Sequence, residues 1–96
     1  MRNYEIMFIV RPTLGSDEVK AVVKSFEGIL TSNGSKVTEV TEMGQRELAY
    51  EIKDFKSGYY FVFEVEAKDD KGIKEFDRLA LISNDIVRHL ITRVEK

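Results

Sequence analysis

The 96-residue chain has no cysteine, no tryptophan, one proline and one histidine. Without cysteine there are no disulfides and no thiolate metal ligands, and nothing points to an oxidising compartment. The single imidazole, His89, has no second histidine beside it, which falls short of the ligand set a transition metal needs. It is also the only candidate for the usual base in nucleophilic catalysis. His89 therefore reads as a packed or surface side chain, and neither a metal nor a cofactor is expected. No GxGxxG or Walker pattern is present to cradle phosphates.

Charge of one sign is lacking too. Lys and Arg number 15 against 17 Asp and Glu, for a net charge of −2 and a pI of about 5.4. A generic nucleic-acid binder usually carries a basic excess, although a local basic patch needs none. The carboxylates Asp17 and Glu18, Glu39 and Glu42, and Asp69 and Asp70 read as solvated charge at a helix start, on an exposed strand and in a loop. Long apolar runs are also missing. The opening MRNYEIMFIVRP alternates and is interrupted by Glu5, so it is too short for a signal peptide or a membrane span. A cytoplasmic chain with no membrane contact is expected.

What is present fits one domain over residues 1–96, with 43% hydrophobic residues for a single core. Tyr4, Ile6, Phe8 and Val10 share one face of a strand over Asn3 to Val10, with Glu5, Met7 and Ile9 on the other. Pro12 and Gly15 end it, and Ser16 is the expected N-cap of a helix with Asp17 and Glu18 in its first turn. Val19, Val22, Val23, Phe26, Ile29 and Leu30 recur at helical spacing, and Asn33-Gly34 stops the helix.

A second strand is expected from Lys36 to Lys53, with a bulge or bend at Gly44. Phe55 to Gly58 reads as a turn. A third strand follows, with Tyr59, Phe61, Phe63 and Val65 inward and Tyr60, Val62, Glu64 and Glu66 outward. After the polar stretch Lys68 to Gly72, a shorter helix carries Ile73, Phe76, Leu79 and Ala80. Asn84-Asp85 punctuate it, and Ile86 to Val94 reads as a last strand. The order β-α-β-β-α-β predicts an α+β, ferredoxin-like fold: a four-stranded antiparallel sheet, two helices on one face, and strands two and four at the edges.

The most informative stretch is the hairpin Met43 to Phe63. Its first strand sets Arg46, Glu47, Glu51 and Lys53 around Leu48, Tyr50 and Ile52, read as a charged outward face. Such charge marks an edge strand, and an edge strand can accept a chosen partner. The pattern points to a binding module. The alternative is a small-ligand or acylphosphatase-like domain on the same fold, but RPTLGS after strand one offers its anion loop only Arg11 and one glycine. Base stacking on the open sheet face is not expected either, because strand one presents Met7 and Ile9 where an RNA-recognition motif carries aromatics. Met7, Ile9, Tyr60 and Val62 would instead form an apolar patch there.

Three segments carry a resemblance: MRNYEIMFIVRP, then GQRELAYEIKDFKSGYYFVFEVEA, then NDIVRHLITR. In that order and spacing they resemble the bacterial small-subunit ribosomal protein S-six family across essentially the whole chain, most specifically at Arg-x-Leu-Ala-Tyr. The resemblance implies a ribosomal protein of the small-subunit platform that pairs with the small basic ribosomal protein S-eighteen and binds 16S ribosomal RNA. An acidic chain suits a basic partner. The resemblance makes Glu39, Glu42, Arg46, Leu48 and Tyr50 candidates for the partner contact and Arg2, Arg88 and Arg93 candidates for RNA. It also implies a non-enzymatic, cytoplasmic role with a monomeric isolated chain. The family commonly has proline where Glu51 stands and often lysine where Asp54 stands. The family's variable C-terminal tail is not seen in this sequence, and roles that depend on a tail are left open.

Overall fold

Alternating apolar residues and two helical stripes fold as the pattern requires. The structure, a computed structural model, describes residues 2–52 and 55–94, with the backbone alone at Ala49. The elements are β1 (Arg2–Val10), α1 (Ser16–Ser32), β2 (Lys36–Ile52), β3 (Phe55–Ala67), α2 (Lys71–Ile82) and β4 (Ile86–Val94). The strands lie in the order β2-β3-β1-β4, every neighbouring pair antiparallel, with β2 and β4 at the edges. No helix among the described residues is long and apolar enough to cross a membrane.

The core lies between the sheet and the two helices. Phe8 is its centre, with ring centroids at 4.9 Å from Phe63, 5.5 Å from Phe61, 5.8 Å from Phe76 and 6.4 Å from Phe26. Each fully buried phenylalanine is worth about 1.5–3 kcal/mol in apolar transfer, with more from edge-to-face pairing. The strand face of Tyr4, Ile6, Phe8 and Val10 is buried here, as expected, together with Phe26 and Leu30 of α1 and Ile73, Phe76 and Ala80 of α2.

Helix α1 begins one residue differently from expectation. Gly15 occupies the N-cap, its carbonyl accepting from the Val19 N–H at 3.0 Å, and Ser16 is the first helical residue with no side-chain cap bond. The end at Asn33-Gly34 is as expected. The Ser35 N–H reaches the Leu30 carbonyl and the Gly34 N–H reaches that of Thr31, the paired bonds of a Schellman motif.

The central hairpin departs further. Ile52 pairs with Phe55, so residues 55–58, expected as a turn, already belong to β3. Lys53 and Asp54 lie outside the described residues. Gly58 signals close approach and not a turn: it is buried in the sheet, where a β-carbon would sit 2.3 Å from Cγ2 of Ile9.

Strand β2 carries one-residue bulges at Thr38, between Val37 and Glu39, and at Met43, between Glu42 and Gly44, and its register shifts a third time between Glu47 and Ile52. Gly44 supports the second with φ at 79°, a left-handed conformation suited to glycine, as anticipated. Each bulge adds one residue and reverses the alternation beyond it. Val37, Val40 and Glu42 therefore all oppose inward positions of β3, while Glu39 opposes Glu64 on the outer face. Arg46 pairs with Gly58 and Glu47 with Ser57, so these two charges point to opposite faces and the single charged face read from the sequence does not form.

Candidate functional site

The face of the sheet away from the helices is organised in rows set by the pairing register. Glu39, Glu64, Glu5 and Thr92 form one row across all four strands. Thr41, Val62, Met7 and Leu90 form the next, and Gly44, Tyr60, Ile9 and Arg88 the one after. The surface therefore grades from acidic through apolar to aromatic and basic.

The apolar patch expected from Met7, Ile9, Tyr60 and Val62 does assemble, through the pairs Met7–Val62 and Ile9–Tyr60. Ile9 itself is only 2% exposed, since the side-chain-free Gly58 lets the neighbouring strand close over it. Leu90, 51% exposed, completes the patch from β4. Sequence reasoning missed it, because β4 shifts register between Ile86 and Arg88, and plain alternation from buried Ile86 would turn Leu90 inward.

In the acidic row Glu39 and Glu64 lie directly opposite each other. A side-chain hydrogen bond to Glu64 and repulsion from its charge raise the Glu39 carboxyl above the usual carboxylate range. Like charges directly opposite destabilise an antiparallel pair.

The three candidate arginines do not share a surface. Arg88 opposes Ile9 and so lies on the open face, whereas Arg93 opposes Tyr4 and lies on the helix-covered side. Arg2 is on the same side as Arg93, one step diagonally across β1, at the end of the sheet opposite Arg88. The Tyr4 side chain holds the Arg2 guanidinium in its charged form, pushing its pKa up, and the Asp70 and Asp69 carboxylates add to this. Arg88 and Arg93 are exposed on the edge strand, with no hydrogen bond or ion pair to any described residue.

Of the partner candidates, Glu39 and Arg46 lie on the open face, and Arg46 Nε reaches the bulge carbonyl of Met43 at 3.4 Å. Glu42 is on the other side. It rims a groove of about 570 Å³ between α1 and β2, floored by Val19, Val23, Val40 and Phe61. Leu48 is half-buried and Tyr50 is 69% exposed, both on the stretch of β2 beyond its second bulge.

The groups weighed for chemistry are otherwise engaged. His89 Nε2 lies 2.6 Å from Asp77 Oδ1, and its ring stands edge-on to Phe76 at 6.2 Å, fastening α2 to β4. Arg11, the cation an acylphosphatase-like loop would use, donates from Nε to Asp85 at 2.9 Å and from Nη1 to Thr13 at 3.0 Å. Among the described residues no cluster of histidine and carboxylate side chains could hold a metal ion.

An open sheet face with graded charge, exposed edge strands and two arginines without a partner among the described residues make a surface suited to docking. A sequence profile described as Ribosomal protein S6 matches residues 3–93, and the chain belongs to that family. Its structure is similar to the 30S ribosomal protein S6 of Thermotoga maritima, with a TM-score of 0.92 and 30% identity, covering 97% of this chain and 87% of that one. The chain is thus a structural, non-enzymatic protein of the small ribosomal subunit, a ribosomal component of the cytoplasm.

Proposed function

We propose that the chain binds 16S ribosomal RNA as one half of a pair with the small basic ribosomal protein S-eighteen. The observation that carries this reading is the family match over residues 3–93. Geometry adds to it. Arg88 and Arg93 are exposed cations on an edge strand without partners among the described residues, the arrangement that leaves a guanidinium available to a phosphate oxygen. Arg2 supports the same end of the sheet as Arg93.

The partner's basic charge would meet Glu39 and Glu42, while Leu48 and the largely exposed Tyr50 offer apolar contact and Arg46 marks the border. With a net charge of −2 the chain alone has no basic excess to hold RNA, so a basic partner supplies most of the phosphate neutralisation. In dilute solution the isolated chain is a monomer under this reading.

The test is binding of the purified chain to a 16S central-domain fragment, with and without S-eighteen, at two salt concentrations. Tight, salt-sensitive binding that needs both proteins is the expected result. Equal binding by the chain alone would remove the partner from the mechanism, and no binding by the pair would overturn the reading.

A further inference from the structure

The graded rows of the open face are their own complement. A two-fold axis laid along the Met7–Val62 row, parallel to the sheet, brings that row onto its copy and reverses the strands. The acidic row of one molecule then lies over the Tyr60–Arg88 row of the other. Rows on one face are two residues apart, about 6.7 Å, and strands are about 4.8 Å apart. Glu64 of one copy faces the Tyr60 hydroxyl of the second. Glu5 of one copy is offset by one strand's width from Arg88 of the second across the gap of about 10 Å between the sheets, a span the two long side chains together can bridge. From this geometry we infer that the open face is a weak isologous interface with a second copy of this chain.

Three observations fit that occupant. First, the apolar belt includes Leu90 at 51% exposure, a side chain that gains from being covered. Second, Arg88 has no partner among the described residues, and Glu64 faces the like charges of Glu39 and Glu5. A two-fold contact supplies each with an opposite charge or a donor, twice per dimer. Third, a net charge of −2 gives two copies little bulk repulsion to overcome.

The size of the face sets the strength. Four strands, the two shorter ones nine residues long, cover about 20 Å by about 27 Å, or about 500 Å² per copy. The total of about 1,000 Å² is at the lower limit for a specific interface, so the dissociation constant is on the order of 100 μM. This inference goes beyond the RNA reading and is tested on the pure chain without RNA.

The experiment is sedimentation equilibrium from about 5 to about 500 μM at low salt, a range that brackets the expected midpoint. The parent should shift from monomer to dimer. Arg88→Glu and Glu5→Arg, both exposed, should each weaken association at least about tenfold by placing like charges together. An equimolar mixture of the two variants should recover the parent's association, because each contact in the mixed pair is again between opposite charges. Recovery cannot come from misfolded chains. A parent monomeric across the range, a dimer indifferent to both substitutions, or a mixture that fails to recover would each overturn the inference.

Discussion

A β-carbon on Gly58 would lie 2.3 Å from Cγ2 of Ile9 and 3.0 Å from the Val10 carbonyl oxygen. The seam between β3 and β1 closes because residue 58 has no side chain. Gly58→Ala should therefore cost about 1–3 kcal/mol, the usual cost of overpacking a closed site. Urea denaturation measures it. Ile9→Ala in the same chain should recover part of the loss, because the two positions compete for one space. A fully additive double variant would show that the clash is relieved elsewhere.

Ser35 is 6% exposed and its hydroxyl oxygen has no hydrogen-bond partner among the described residues. A buried hydroxyl without a partner forfeits its hydration and regains nothing. Ser35→Ala should stabilise the chain by about 1 kcal/mol, seen as a higher urea midpoint at unchanged slope. A lower midpoint would mean that the hydroxyl is bonded in solution.

These two sites lie where sequence reasoning meets its limit. The inward faces of β1 and β3 and the stripe of α1 were legible, because apolar residues at periods of two and 3.6 have few other uses. Phe8, Phe26, Phe63 and Phe76 all reach the core as read. Gly58 misled because glycine near lysine and serine is also turn chemistry, and only the neighbouring strand reveals a close approach. In β2, Gly44 announced one bulge, but the bulge at Thr38 has no glycine to mark it. The faces of Glu39, Glu42, Arg46 and Glu47 could not be assigned without both.

The candidate site was legible in part. Arg88 and Arg93 are five residues apart in one strand, an odd spacing that puts them on opposite faces by alternation alone. Grouping them by family resemblance concealed what the spacing stated. The acidic row of Glu39, Glu64 and Glu5 needed the register of three strands, which no single segment contains.

That acidic row makes stability depend on pH in a definite direction. The folded state raises the Glu39 carboxyl through Glu64, so the folded chain binds its proton more tightly than the unfolded one. The resulting stability is present in full below the ordinary glutamate range and is lost as pH rises through the raised value. Glu39→Gln should therefore melt higher than the parent at neutral pH and low salt. The difference should shrink with added salt, because the pair is exposed and screened, and close on acidification. Equal melting temperatures at neutral pH would mean that the two carboxylates point apart in solution.

Whether the RNA contact wraps the β4 edge can be read from salt dependence. Arg88 and Arg93 are about 17 Å apart along the strand and project to opposite faces, so only a nucleic acid that passes around the edge touches both. In the proposed complex with S-eighteen, Arg88→Gln and Arg93→Gln should each reduce the slope of log affinity against log salt by about 0.7–0.9, one phosphate contact apiece. The double variant should lose both contributions, since positions this far apart act independently. Arg2→Gln should have the smaller effect, because the Asp69 and Asp70 carboxylates already offset part of that charge. A loss confined to Arg93 would place the RNA on the helix-covered end alone. Unchanged slopes in all three variants would remove β4 and the start of β1 from the interface and move the contact to the protein partner.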